Sequence, residues 1–382
     1  MIWKIVAGIA GLIAASIPVW GASCVPVDVA ATSYGVICDG VTDTTVALQT
    51  AITTVQAQMG TLHLPSGNCK ITAPLAISAP ITLMGNGKKS SVLMPAGAID
   101  ALDVLTSMPV IIERLGIDYG SFQGGGTAIT VSGTATTGNG STVIRDVEID
   151  NTFNGITFLK SAFFVIDGVD IYTFNGNGIT ISNSMNPDVG DGIITNSSIF
   201  ANFFGAGAGD CVFWNSSGGL RVENNKFATC LHGINMSLAN GAVTAQLDVA
   251  GNSFDTTNTG ILISRLGGSG IFNSVIVANN MFADNVGGIN IIHDAYGQWL
   301  NTVVISGNTY ISQNNPRSYF AIVNDTAGFI ISGNALTSNN ASAIAFQFGQ
   351  LASSGSLGPN IKIGAWQASY FGGSGLTQIG SN

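Results

Sequence analysis

Arg265, His293 and Asp325 fall at one recurring position of a repeated unit, five residues after a glycine or its equivalent, and Lys160 holds the same position earlier in the chain. An arginine, an imidazole and an amine brought together by a repeat could remove the proton next to a uronate carboxylate, with His293 or Lys160 as base and Arg265 neutralising the developing charge. Asp294 stands beside the histidine, and the interruption over 295–300 carries Tyr296 and Trp299, rings that could stack on sugar faces. Hydrolysis would instead need two carboxylates, about 5 Å apart for retention or roughly 6.5–9.5 Å for inversion, and Asp255 with Asp284 or Asp294 with Asp325 fit adjacent repeats. The competing reading is a surface ion-pair ladder of Arg265, His293, Asp294 and Asp325. Because a full-length arginine is rarely buried unpaired, the strand before Arg265 should end and aim it outward. Asp188, Asp191 and Asp210 could bind Ca2+, but loop aspartates near glycine more often make turns, and no cofactor is expected. His232, just before Gly233, reads as a turn residue.

The elements that must position these residues are repeats. The runs 222–227, 249–254, 277–282, 305–310 and 331–336 share Asn225, Asn252, Asn280, Asn308 and Asn334, spaced by 27, 28, 28 and 26 residues. A period of that length signals a solenoid. Three units carry a second signature eight residues on, at Gly233, Gly260 and Gly288, with weaker copies at Gly155 and Gly178, where Val147 and Val169 stand in the asparagine slot. Short β-branched or alternating runs with a turn asparagine at fixed offset describe coils joined by parallel pairing, roughly 4.8 Å apart. Stacked asparagines then bond one another up the axis, so the repeated asparagine is read as structural.

Before the repeats, 39–52 reads Asp-Gly-Val-Thr-Asp-Thr-Thr-Val-Ala-Leu-Gln-Thr-Ala-Ile, and 60–67 reads Gly-Thr-Leu-His-Leu-Pro-Ser-Gly. Asp43 or Thr44 can cap a helix over 45–58 with Val46, Leu48, Ile52 and Val55 partly on one face, which would plug the open end of the solenoid. This segment closely resembles the opening of the pectate-lyase-like superfamily shared by polygalacturonases, many polysaccharide lyases and phage tailspike depolymerases. With the downstream repeats the resemblance covers about 27–348. It implies an all-β, right-handed, single-stranded parallel β-helix with an N-terminal capping helix, acting on acidic or complex glycans. It does not bring a catalytic set: no Asn-x-Asp, Asp-Asp and Arg-x-Lys group like that of polygalacturonases stands in the later repeats, nor an Asp-Pro-His stretch like that of mannuronan epimerases.

Composition fits this architecture. The chain is 46% hydrophobic and 9% charged, with 50 glycines, so a large core is available and hydroxyls and amides must solvate the surface. A net charge of −9 without clustered Lys and Arg argues against nucleic acid as partner. Lys4 followed by an apolar run from Ile5 to Val19 and by Gly21-Ala22-Ser23 reads as a signal peptide over 1–23. That leaves a β-helix over 24–348 and a C-terminal cover over 349–382. Export permits disulfides: Cys38 could bridge to Cys69, and Cys211 and Cys230 lie on neighbouring repeats, the pairing being open, with Cys24 left over and open to lipid attachment. The expectation is a secreted, periplasmic or surface enzyme on polysaccharide, β-elimination ranked ahead of glycoside hydrolysis, against a non-catalytic glycan-binding protein on the same scaffold.

Overall fold

A computed structural model describes residues 27–132, 141–159, 163–182, 191–202, 208–216, 218–238, 245–265, 270–283, 286–293, 297, 299–312, 318–349, 352, 354–366 and 370–371. The chain is a parallel β-solenoid of the right-handed type with three ladders. Ladder 1 runs from Asp28–Ala30 to Gly355–Leu357 and ladder 2 from Asp39–Asp43 to Ile361–Gly364; the long strands Val110–Asp118 and Ser141–Asp150 pass through both and join them into a 24-stranded sheet. Ladder 3 is a 12-stranded sheet from Leu75–Ile77 to Tyr370–Phe371. Every register pair is parallel, as coils that always turn the same way require. Strands therefore continue past Phe348: Ile361–Gly364 pairs with Ala335–Ser338, and Tyr370–Phe371 with Ile344–Phe348.

The turn from ladder 1 to ladder 2 shows how the sequence fixes each coil. The residue before each ladder asparagine is left-handed: Asn224 at φ 58, Gly251 at 69, Asn279 at 56, Gly307 at 67 and Gly333 at 70. Glycine and asparagine are among the few residues that enter that region at low cost, which explains the repeated Asn-Asn and Gly-Asn pairs. The next residue turns its amide inward. Asn225 Nδ2 donates to Asn252 Oδ1 at 3.0 Å, Asn252 to Asn280 at 3.0 Å, Asn280 to Asn308 at 3.0 Å and Asn308 to Asn334 at 2.9 Å. A sixth rung, Asn360, accepts from Asn334 at 2.8 Å and was not part of the sequence pattern. Toward the N-terminus the hydroxyl of Ser197 takes the place of the amide, accepting from Val169 N–H. Beside the amides, Phe227, Phe254 and Phe282 stack with ring centroids 5.2 and 4.8 Å apart.

Helix α1 spans Thr45–Gln56 and buries Leu48, Ala51, Ile52, Val55 and Gln56. It packs on strands Thr61–His63 and Leu75–Ile77. Val46, expected on the inner face, is 79% exposed, because the buried stripe follows 48, 51, 52 and 55 instead. At its N-terminus the Asp43 carboxylate accepts the Thr45 N–H at 3.0 Å and Thr45 Oγ1 at 2.5 Å. These bonds hold the carboxyl below its usual range. Cys38–Cys69 and Cys211–Cys230 are both bonded.

Candidate functional site

The edge of ladder 3 where its strands end brings together the residues that the repeat placed in one column. Strand Thr259–Arg265 pairs with Gly287–Ile291, which pairs with Tyr319–Val323, so Arg265, His293 and Asp325 follow one another coil by coil. Asp325 occupies the turn between strands Tyr319–Val323 and Thr326–Ser332 at φ 51, a conformation aspartate tolerates better than most residues. That turn points its carboxylate into the wall of the solenoid, where its side chain is 0% exposed, while the His293 side chain is 39% exposed. His293 Nδ1 lies 2.7 Å from Asp325 Oδ1, and Trp299 Nε1 donates to Oδ2 at 3.2 Å. A carboxylate only accepts, so Nδ1 carries the proton, and in the neutral imidazole Nε2 is then the accepting nitrogen.

Arg265 ends its strand rather than following it, and it is half-buried instead of pointing away from the coil. Its guanidinium lies over the Trp299 ring, 5.5 Å from the centroid, and donates to the carbonyls of Gly270 at 3.1 Å and Gly297 at 3.4 Å. Trp299 corrects another expectation. It is not an exposed platform for sugars: it is 1% exposed, packed 5.9 Å from Phe272, and serves as a wall and as a donor to Asp325. Lys160, Asp294, Tyr296 and Asp284 lie outside the described residues.

A second imidazole–carboxylate pair stands on the other edge of ladder 3, where its strands begin rather than end. His232 Nδ1 lies 2.6 Å from Asp210 Oδ1, and Asn235 Nδ2 donates to Asp210 Oδ2 at 2.7 Å. Their side chains are 15% and 10% exposed, so His232 is a partnered strand residue rather than a bare turn. Asp210 N–H donates to Asn177 Oδ1 at 3.0 Å, and Asn177 N–H to Asn154 Oδ1 at 3.0 Å, a second amide chain running up this edge. The chain packs so closely there that any side chain at Gly209 would collide with the Gly176 carbonyl. A signal for this pair stood in the sequence: Asp210 precedes Cys211 and His232 follows Cys230 by two, one coil on.

Elsewhere the titratable groups have other tasks. Asp191 accepts Gly219 N–H and Asp188 is outside the described residues; among the described residues no three His, Cys, Asp or Glu could hold a metal ion. On ladder 2, Asp118 and Asp150 pair in register and Glu148 lies two residues along. Burial, then the bond to Glu148 and the charges of Glu148 and Asp118, push the Asp150 carboxyl up to about 7, with Lys89 opposing. Between about pH 4 and 7 the folded chain therefore holds a proton that the unfolded chain releases, so this group's contribution to stability falls as pH rises through that window and levels off above it. Thermal melts of wild type and Asp150→Asn from pH 4 to 8 should diverge with that slope; parallel curves would mean the proton is not held. A groove of about 450 Å3 among Phe163, Ile193, Arg221 and Ile276 lies on ladder 1, is mostly apolar and carries no histidine.

Comparison with known proteins agrees with this architecture. The model of the family described as rhamnogalacturonase A/epimerase, pectate lyase-like, matches residues 28–262, and the chain belongs to that family. No curated protein matches the chain. Among solved structures it is similar to the catalytic unit of an α-1,3-glucanase from Streptomyces thermodiastaticus (TM-score 0.63, 17% identity, 93% of this chain and 68% of that one). It is equally similar to the A-module of a mannuronan C-5 epimerase from Azotobacter vinelandii (TM-score 0.63, 17% identity, 92% and 100%). A third match is PfbA, a surface adhesin of Streptococcus pneumoniae (TM-score 0.62, 12% identity, 93% of each chain). At these identities the likeness is one of fold.

Proposed function

We propose that the protein is an exported enzyme acting on polysaccharide, and that His293, held by Asp325 beside Arg265, abstracts the proton next to the carboxylate of a uronate residue. The observation carrying this reading is the buried Asp325 carboxylate, which holds the part-exposed imidazole through Nδ1 and so leaves Nε2 as its proton acceptor. Nε2 takes the α-proton, Arg265 neutralises the enolate-like charge, and the β-oxygen departs with the proton that Nε2 took, which returns the imidazole to neutral and leaves a carbon–carbon double bond. Reprotonation from the other face would give epimerisation instead. Hydrolysis fits less well, because Asp325 is enclosed by His293 and Trp299 and no second carboxylate meets it among the described residues. The family's description, together with a glucanase and an epimerase among its fold neighbours, supports a glycan as substrate. Two disulfides and the leader-like start support export. Packing of α1 on the first coils supports its role as their cover.

The enclosed Asp210–His232 pair favours a second reading, in which the chemistry sits on the other edge of ladder 3, where its strands begin. The adhesin neighbour favours a third, a protein that binds glycan without turnover. One incubation separates them: purified protein with a panel of acidic and neutral polysaccharides, reading ultraviolet absorbance, reducing ends and, by proton NMR, exchange at the uronate C5. Absorbance growth is the expected result, with Arg265→Ala lowering kcat/KM by roughly 10²-fold. Reducing ends alone, or loss of turnover in His232→Ala but not in Arg265→Ala, would overturn the assignment. Silence in all three signals would leave binding as the function.

A further inference from the structure

With Trp299 buried, the outer face of ladder 3 needs another surface on which a sugar ring could lie, and it offers Tyr319. Tyr319 opens strand Tyr319–Val323 in the column that contains Gly287, Thr259 and His232 on the preceding coils. Its side chain does not stand off the sheet. It lies back along the axis, across Gly287, until its hydroxyl meets Thr259 Oγ1 at 3.1 Å, two coils away. Any side chain at Gly287 would collide with the Tyr319 ring and hydroxyl, so this close approach requires glycine there. Asn290 is a further partner of the hydroxyl, and burial raises the phenol's pKa, keeping it protonated as a donor. Gly287 is covered, whereas Tyr319 stays partly exposed.

We propose that Tyr319, laid flat over Gly287 and tied down by Thr259, is a stacking platform for a pyranose ring, a binding subsite distinct from the chemistry at His293. The inference rests on the reading of the protein as glycan-acting. An aromatic plate fixed at both ends meets the C–H face of a sugar without losing side-chain freedom on binding. The half-exposed amides of Asn235 and Asn290 stand on the same face to bond hydroxyls. No lysine or arginine lies in this column among the described residues, and the pair nearby is Asp210–His232, whose carboxylate would repel an acidic sugar, so the subsite suits a neutral ring rather than a uronate. Gly287 and His293 are six residues apart along an extended chain, roughly 20 Å. A single sugar does not touch both, so the platform contributes to KM and not to kcat.

The test is native affinity electrophoresis of the full protein through gels containing soluble β-glucan, galactomannan, rhamnogalacturonan or polygalacturonate. Retardation is expected in at least one gel whose polymer contains neutral sugars, weakened about fivefold by Tyr319→Ala and little by Tyr319→Phe, which keeps the ring. Thr259→Val, which cuts the tie and leaves the ring, should fall between them and serves alone if the alanine variant does not fold. Equal retardation of wild type, Tyr319→Ala and Thr259→Val overturns the platform, as does equal loss in Tyr319→Phe and Tyr319→Ala, or retardation by polygalacturonate only. Turnover with KM unchanged in Tyr319→Ala overturns the platform and leaves the chemistry at His293 standing. Retardation without turnover in any polymer does the reverse.

Discussion

An Asp325→Asn variant should lose roughly a hundredfold or more in turnover, and His293→Ala roughly 10²- to 10⁴-fold, the range of a positioned general base. The two losses have different causes. His293 supplies the accepting nitrogen, and its removal also takes one donor from the buried Asp325 carboxylate, so His293→Ala should lose about 1–3 kcal/mol of stability as well as turnover. Asparagine at 325 keeps the size and tolerates the φ of 51. It nevertheless offers one oxygen where the carboxylate offers two, while both the His293 Nδ1–H and the Trp299 Nε1–H need an acceptor. Either the imidazole loses its anchor or a buried indole N–H meets an NH2 group, which costs about 1–3 kcal/mol. Turnover at wild-type level in Asp325→Asn would remove Asp325 from the mechanism. A thermal melt and the near-ultraviolet circular dichroism of Trp299 report the structural part separately.

The largest loss of stability should follow Asn280→Ala. That change takes the acceptor from both Asn252 N–H and Asn252 Nδ2, and the donor from the Val249 and Ala278 carbonyls, all in the interior of the turn. Several buried groups left without partners, at about 1–3 kcal/mol each and partly rescued by relaxation, give roughly 3–6 kcal/mol. The same change at Asn360, whose one ladder neighbour is Asn334, should cost about 1–2 kcal/mol. Urea unfolding of the two variants measures the gradient. Equal effects would mean that the amides stabilise locally, as turn residues, rather than through one another.

The ladder was legible because its period is written in residue types: Asn or Gly enters the left-handed turn most cheaply, and an amide that both donates and accepts links each rung to the next. The column of Arg265, His293 and Asp325 was legible for a related reason, since parallel coils turn equal offsets into neighbours. What the sequence concealed was depth. Trp299 sits in a polar stretch and looks exposed, yet the left-handed turn at Asp325 draws it inward as a donor. The Asp210–His232 pair was hidden by local context, because a histidine before a glycine resembles any turn until the Cys211–Cys230 bond puts it beside Asp210. Tyr319 reads as one more strand residue, and only the collision that a side chain at Gly287 would suffer reveals that its ring lies flat.

The rungs Asn225, Asn252, Asn280, Asn308, Asn334 and Asn360 meet although the stretches between them are 27, 28, 28, 26 and 26 residues long. A residue gained or lost in one connection is therefore not passed on: the next amide resets the count, and every later side chain keeps its height on the axis. In engineering language the solenoid is a self-indexing rack. Loops beside His293 or Tyr319 can be lengthened, shortened or exchanged one coil at a time, changing what the surface grips while the positions above and below stay in register.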